Sequence, residues 1–461
     1  VTLMDLPPGC TGAHDVPFYE KTLRRILDSG LPYDSICFKD ASGTSSPQKI
    51  YETIQMARKL VGNDTHIRLH THETAGVSVA CYLAALEAGA DGIDLAASPV
   101  SGGTSQPDIL TMMHAVKGKN FDLGGLEIDK ILKYQEVLND CLKDYFMPPE
   151  ATQVSPLIPF SPMPGGALTA NTQMMRDNGT LHKFPEVIKA MREVVEKGGY
   201  GTSVTPVSQF YWQQAYANVM FGPWKQIAPG YGRMVLGYFG KTPVEPDAQV
   251  VKLAAEKLKL EPTKENPLDI ADRDEKKKIS VWKQRLEIEG IPATEENIFI
   301  AAACDEKGIA FLKGESPLNV RKNDSICEND KDCKLGENNM ANANGNYTVI
   351  VDGQRFNVTI AEGNADIQVT PVVTTTAAPV AQASAPVSSN GGTEVPAAVN
   401  GAVWKILVKE GDRVEKDQQI MILEAMKMEI DITAPVSGVV TKILVNNAQT
   451  VDEGQTLAII G

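Results

Sequence analysis

Two hydrophobic periods alternate along the first hundred residues. Short apolar or period-two runs stand at Val1–Asp5, Ser35–Asp40 (SICFKD), His66–His72 (HIRLHTH) and Gly92–Ala96 (GIDLA). Between and after them, apolar residues recur at helical spacing over Val16–Ser29, Pro47–Val61, Gly76–Ala88 and Ser105–Lys117. Strands alternating with helices at roughly thirty-residue spacing predict βαβ units and a parallel sheet. Asp5, Lys39, Asp40, His70 and His72 fall at the C-terminal ends of these strands, the end at which a (β/α)8 barrel carries its active site. A barrel of that kind closes with eight units, and four are visible. The expectation is an α/β chain that begins with the last four βα units of a TIM barrel, the first four lying upstream of Val1.

The period then changes. Residues 121–322 are dominated by helical spacing, as in Ile128–Tyr145, Phe184–Lys197 and Val250–Leu260, broken at Pro162–Gly166, Gly198–Gly201 and Pro229–Gly232. This stretch reads as a helical lobe completing the domain of residues 1–120. Residues 323–345 are rich in Asn and Asp and are expected to be mobile. Tyr347–Ile360 alternates around Asp352–Gly353, a hairpin signal, so 323–370 reads as a mobile segment plus hairpin. Residues 371–394 are Ala, Pro, Val, Thr, Ser and Gly with almost no charge, a linker whose 24 residues span ~25 Å as a flexible coil.

Residues 395–461 contain an internal repeat at an offset of 37. Gly401 and Val403 match Gly438 and Val440, Lys405–Val408 (KILV) recurs at Lys442–Val445, and Val414, Gln418 and Ile422 recur as Val451, Gln455 and Ile459. Two copies of one short strand pattern predict a small all-β domain of two interlocking halves. Glu424–Glu429 (EAMKME) sits at the junction, where a hairpin tip would hold Lys427 out into solvent.

Composition narrows the function classes. A net charge of −14 over 461 residues argues against non-specific nucleic-acid binding. No apolar run approaches the ~20 residues of a membrane span. Seven scattered cysteines are no disulfide framework, and a reducing cytoplasm is the expected compartment. Cys327 and Cys333 form a local pair with no His or Cys near them in sequence, which makes a poor metal site.

Glu-Ala-Met-Lys-Met-Glu resembles the attachment sequence of biotin carrier domains. The resemblance implies that biotin is joined to Lys427 by a biotin protein ligase. Gly401, Gly411-Asp412 and Pro435–Gly438 stand where that family places turns. Lipoyl domains use a lysine at the same turn without the two methionines. One departure is Val395–Asn400 (VPAAVN), where the family has a proline–methionine turn before Gly401.

His70-Thr71-His72 places two imidazoles on one side of a strand, a ligand pair suited to Zn, Mn or Co. Alone, such a pair is more often a structural feature than a metal site. Lys39, at the rim of the preceding strand, would repel a cation unless deprotonated or converted to a carbamate. Cys37–Gly43 (CFKDASG), Leu69–Gly76 (LHTHETAG), Ser101–Pro107 (SGGTSQP), Met163–Gly166 (MPGG) and Val204–Gln209 (VTPVSQ) resemble, in order, the carboxyltransferase domain of pyruvate carboxylase and of the oxaloacetate decarboxylase α subunit. That resemblance implies a divalent metal held by His70, His72 and Lys39, with an aspartate ligand on a strand upstream. It makes Thr205 a proton shuttle between the pyruvate methyl group and biotin, and Ser208 a biotin contact. Single-chain pyruvate carboxylases have lysine where this chain has Gln209, which is closer to the decarboxylase α subunits and the two-subunit carboxylases. As bare sequence, Val204–Gln209 is also a helix start with Thr205 as cap before Pro206. Ser101–Pro107 would line the pocket without binding phosphate.

The implied function is carboxyl transfer between carboxybiotin on Lys427 and pyruvate or oxaloacetate. The chain would be the B subunit of a two-subunit pyruvate carboxylase. Its implied partners are a biotin carboxylase subunit and further copies of itself in a homo-oligomer. The alternative is the α subunit of a sodium-pumping oxaloacetate decarboxylase, which would add membrane subunits. An alternative of another class is a non-catalytic biotin carrier or scaffold. Methylmalonyl-CoA:pyruvate carboxyltransferase fits less well, because its carrier is a separate chain.

Overall fold

The computed structural model describes residues 1–275, 278–315, 321–323, 345–351, 354–360, 392–425, 428–447 and 449–461. The Asn/Asp-rich stretch with Cys327 and Cys333, nearly all of the linker, and Lys427 lie outside the described residues.

Strands β1 (Thr2–Leu3), β2 (Ser35–Asp40), β3 (His66–Thr71) and β4 (Gly92–Ile93) form one parallel sheet in the order β1-β2-β3-β4. Each strand neighbours its successor, as in a barrel wall. The crossovers are α1 (Val16–Asp28), α2 (Pro47–Val61) and α3 (Ser78–Glu87), and α4 (Ile109–Ala115) follows β4. Local chemistry sets the helix starts. Asp15 accepts the Phe18 N–H with a proline in the first turn, and Ser46 accepts the Lys49 N–H ahead of Pro47.

Alternate strand residues point to opposite faces. Ile36, Phe38, Ile67 and Leu69 pack against Tyr19, Leu23, Ile50, Ile54 and Tyr82 in one buried core. The other face carries Cys37, Lys39, Arg68 and His70, all exposed or half-buried. The side chains of chemical interest therefore share the face away from the helices.

The helical region comprises α5 (Ile128–Leu142), α6 (Pro149–Thr152), α7 (Gly165–Asp177), α8 (Phe184–Lys197), α9 (Val207–Phe221), α10 (Pro229–Val235), α11 (Ala248–Leu258), α12 (Pro267–Asp272), α13 (Ile279–Ile288) and α14 (Glu295–Leu312). Met163, Met175, Ile188, Met191, Val194, Tyr211, Trp212 and Tyr231 form its main core, joined by Met4 from the end of β1. Met4 ties this lobe to the C-terminal rim of the sheet. α13 and α14 share a smaller core of Leu286, Ile291, Ala301 and Ile309.

Residues 321–391 form a separate compact unit. Its described strands β5 (Gly345–Val351) and β6 (Gln354–Ile360) pair antiparallel with Val351 opposite Gln354.

The C-terminal domain obeys its sequence repeat strand by strand. Its strands are β7 (Thr393–Pro396), β8 (Gly401–Ile406), β9 (Arg413–Val414), β10 (Gln419–Ala425), β11 (Met428–Thr433), β12 (Gly438–Ile443), β13 (Thr450–Val451) and β14 (Thr456–Ile460). They form two four-stranded sheets, β11-β10-β8-β13 and β7-β14-β12-β9. Each copy lends its short strand to the other's sheet: Gly401 pairs with Val451, and Gly438 with Val414. Shifting one residue of each pair up and the other down by the offset of 37 turns the first pair into the second, so the halves interlock by a pseudo-twofold. Val403, Ile420, Leu423, Ile430, Val440 and Leu457 fill the core between the sheets.

Candidate active site

β2 and β3 bring Lys39 and His70 into direct register, and Thr2 of β1 pairs with Lys39 on the other side. Neighbouring strands lie ~4.8 Å apart, so Lys39 and His70 are adjacent on the exposed face. His72 follows just past the end of β3, and its ring meets that of His70 at 74° with centroids 5.0 Å apart.

The outward nitrogens of both rings are taken. His70 Nδ1 lies 2.9 Å from Asp94 Oδ2, and His72 Nδ1 lies 2.7 Å from the Thr104 carbonyl. Both partners accept only, so each neutral ring carries its proton on Nδ1. The two Nε2 atoms then turn lone pairs toward one another at 3.2 Å. A proton or a cation between them would relieve that arrangement. With metal–nitrogen bonds of ~2.0–2.1 Å, two ligands at 90–109° stand about 2.9–3.4 Å apart, and this pair falls within that span. Burial holds His72 below the usual imidazole range, against the opposing pull of its bond to Thr104, so it stays neutral and able to ligate.

Asp94 is itself fixed. Arg68 Nη1 approaches its other carboxylate oxygen at 3.4 Å, and the Tyr82 hydroxyl donates to its backbone carbonyl at 2.5 Å. The Ser101–Pro107 loop supplies the Thr104 carbonyl and places Gln106 Nε2 3.5 Å from His70 Nε2. Among the described residues no group of three or more His, Cys, Asp and Glu side chains is placed to hold a metal ion. The histidines are a pair, and Lys39 is the neighbour in register. Two other rim residues serve the fold. Asp40 turns to the buried face and accepts the Thr44 and Ser45 N–H groups and the Thr71 hydroxyl, while burial raises its carboxyl above the usual range. Asp5 is paired with Lys49 at 2.5 Å.

Helix α7 is the wall shared by the histidines and the Val204–Gln209 segment. A Cβ on Gly165 would overlap the Thr104 carbonyl oxygen and stand 2.6 Å from His72 Nδ1, so only glycine admits this approach. Gly43 meets His72 from the other side, with a φ of +66° and no room for a Cβ beside the His72 carbonyl. Further along α7, Thr169 Oγ1 is 2.8 Å from Thr104 Oγ1, and Asn171 exchanges two amide hydrogen bonds of 3.1 Å with Gln209. Ser208 is buried and its Oγ has no hydrogen-bond partner, as is true of Ser203 nearby. Thr205 is exposed. It does not cap α9: Pro206 occupies the cap position, without a side-chain bond, one residue later than the sequence pattern suggests.

Lys427 lies outside the described residues, but its frame is visible. β10 and β11 pair through Glu424–Glu429 to Ala425–Met428, leaving two residues between the strands.

Asp94 and Asn171 were not anticipated from the sequence as site residues, and Thr104 and Gly165 only as members of the Ser101–Pro107 and Met163–Gly166 stretches, without their contacts to His72. Asp94 had a signal: in Gly92–Ala96 it takes the polar beat of a period-two run, which puts it on the His70 face. Thr104 reaches His72 from a loop 32 residues away, and Gly165 and Asn171 depend on the approach of α7, contacts that no local pattern encodes.

Three family profiles match: HMGL-like over residues 28–137, conserved carboxylase domain over 158–368, and biotin-requiring enzyme over 393–460. The B subunit of pyruvate carboxylase from Methanocaldococcus jannaschii is 30% identical over 429 residues, covering 90% of this chain and 68% of that protein. The methylmalonyl-CoA carboxyltransferase 5S subunit of Propionibacterium freudenreichii subsp. shermanii is 30% identical over 314 residues, 68% of this chain and 61% of its own length. The 2-oxoglutarate carboxylase large subunit of Hydrogenobacter thermophilus is 27% identical over 453 residues, 90% of this chain and 68% of its own. The carboxyl transferase domain of Rhizobium etli pyruvate carboxylase has the same fold, with a TM-score of 0.57 at 21% identity over 68% of this chain and 54% of that one. The chain thus spans about half to two thirds of the length of these relatives. It belongs to the family of biotin-dependent carboxyltransferases that includes the B subunits of pyruvate carboxylase. Among the described residues no helix is long and apolar enough to cross a membrane.

Proposed function

We propose that this chain transfers a carboxyl group between biotin on Lys427 and a small 2-keto acid, pyruvate or oxaloacetate, as the carboxyltransferase and carrier subunit of a two-subunit pyruvate carboxylase. The observation that carries the reading is the facing Nε2 pair of His70 and His72, held at 3.2 Å on a chain that also bears the biotin attachment sequence. The proposed partners are a biotin carboxylase subunit, which charges the carrier, a biotin protein ligase, and further copies of this chain in a homo-oligomer. The proposed compartment is the cytoplasm.

The spacing of the two imidazoles suits a divalent metal. His70 and His72 would hold a divalent metal (Zn, Mn or Co), with Lys39 as a further ligand once its amine is converted to a carbamate, and Ser208 is the proposed biotin contact. When bound, the metal supplies a positive charge for a developing enolate oxygen, and biotin supplies the carried carboxyl group. The protein's own part is positional. Asp94 and the Thr104 carbonyl orient the imidazoles and fix their tautomers. Gly165 lets α7 close on His72. The Thr205 hydroxyl passes its proton to the carrier as it takes one from the keto-acid methyl group, a relay rather than a base.

Asp94→Asn removes the carboxylate that orients His70 and leaves the shape. It is expected to weaken divalent-metal binding about 10–100-fold, read by competitive chelator titration. Unchanged affinity would take Asp94 out of this role. For the function itself, the biotinylated chain is mixed with a biotin carboxylase subunit, ATP, bicarbonate and pyruvate. Oxaloacetate is the expected product. A clear preference for 2-oxoglutarate over pyruvate would overturn the substrate. A biotinylated chain that transfers to neither acid would be a carrier alone.

A further inference from the structure

The family's proline–methionine turn is replaced here by Val395–Asn400, and Asn400 uses both ends of its amide. Its Oδ1 accepts the Glu453 N–H at 2.5 Å, inside the biotinyl domain. Its Nδ2 donates at 2.8 Å to the backbone carbonyl of Asn178, the residue that ends α7 in the carboxyltransferase lobe. The repeat separates these two jobs. Thirty-seven residues on, Ser437 stands where Asn400 does, and its Oγ accepts the Lys416 N–H at 2.8 Å. Lys416 is the counterpart of Glu453 by the same offset. A serine therefore suffices for the turn. The second arm of Asn400 has no equivalent in the twin copy and reaches only the lobe.

The contact continues beside it. Met220 and Phe221, at the end of α9, pack against the core of the biotinyl domain. Glu453 lies close enough to Tyr216 of α9 to help burial raise its hydroxyl's pKa. The surface on the lobe is thus the C-terminal ends of α7 and α9. On the carrier it is the end at which β10 runs on toward the attachment sequence: Ala402 pairs with Glu424, which puts Gly401 level with Ala425, and Asn400 lies just beyond Gly401.

We infer that the biotinyl domain has a parking site on its own carboxyltransferase lobe, hairpin end first, latched by the Asn400 amide on the last carbonyl of α7. The inference rests on the carrier reading of Lys427. The histidine pair adjoins the N-terminal end of α7, where Gly165 meets His72, and α9 runs beside α7 through the Asn171–Gln209 bonds. α7 and α9 have 13 and 15 residues, so about 20 Å of helix separates the parked end from that site. The docked carrier is therefore waiting rather than delivering, and it must leave the latch to reach the site.

Asn400→Ser is the informative variant, because the twin position shows that serine keeps the turn. The loss of one amide–carbonyl bond should lower the docked-to-free ratio about three- to tenfold. Phe221→Ser tests the lobe side without touching the carrier. The readout is ¹⁵N relaxation of biotinyl-domain amides in the full chain. The unsubstituted protein should tumble as one body. The single variants should narrow the domain's lines, and the Asn400→Ser/Phe221→Ser chain should bring them nearest to those of a small independent domain. A domain that already tumbles freely in the unsubstituted chain, or that stays slow in the double variant, overturns the parking site. Biotin content, measured on the same samples by intact mass, tests the carrier reading separately. A chain without biotin would fail that reading while the relaxation result still decided the docking.

Discussion

Replacing Lys427 with arginine is expected to abolish both biotin attachment and carboxyl transfer, leaving no residual carrier activity. The change keeps the positive charge and the long stem. It substitutes a guanidinium, which stays protonated in proteins, for an amine that a ligase can acylate. The frame argues for this lysine over the others of the domain. β10 and β11 are zipped to the Ala425–Met428 pair, so only Met426 and Lys427 connect them. Lys405 and Lys442 are repeat counterparts within paired strands β8 and β12, where their backbones are committed to the sheets. The buried core of the domain draws on Val403, Leu423, Ile430, Val440 and Leu457, so the arginine chain should fold as before. Intact mass after co-expression with a biotin ligase, followed by a transfer assay, checks both halves. Biotin persisting on the arginine chain would move the attachment site elsewhere.

The parts of this architecture that were legible in the sequence are those set by local rules. β2 and α2 fall on the expected residues, because a period-two run and a Ser-Pro helix start are both short-range signals. The 37-residue repeat foretold the interlocked sheets, since each strand pairing has its copy at the same offset. α7 was hidden, and only the start of α9 was legible, for two different reasons. α7 starts at Gly165, inside a stretch that reads as a break. Its glycine is there for the approach to His72 and Thr104 rather than for a loop. α9 buries Ser208, Tyr211, Trp212, Gln214, Ala215, Tyr216, Ala217 and Asn218, so its apolar residues lie all round it and leave no stripe to read. The same limit applies to the site. The two histidines and Lys39 follow from strand alternation and register, whereas the Thr104 carbonyl behind His72 comes from a loop 32 residues away. The Asn178–Asn400 bond spans 222 residues and has no local signature at all.

Thr205→Ala should slow carboxyl transfer about 10²–10⁴-fold while leaving biotinylation, metal binding and folding intact. The expected size is that of a lost proton relay, because alanine has no hydroxyl through which the keto-acid methyl proton can pass. The side chain is separable from the fold: Thr205 is exposed, and α9 begins without a side-chain cap, so no helix-end bond is lost. The neighbouring framework also stands apart from it. Gln209 is held by Asn171, and Ser208 is buried by the helix itself. Thr205→Ser retains the hydroxyl and should retain most of the rate, which separates a relay from a packing role. The discriminating measurement is exchange of the pyruvate methyl protons with solvent deuterium, set beside kcat for transfer. A relay predicts that both collapse together in the alanine chain and recover together with serine. If methyl exchange and transfer persist within a few-fold in Thr205→Ala, the proton travels by another group. Ser203 would be the next to test, because its buried hydroxyl also has no hydrogen-bond partner and it sits two residues upstream on the same loop.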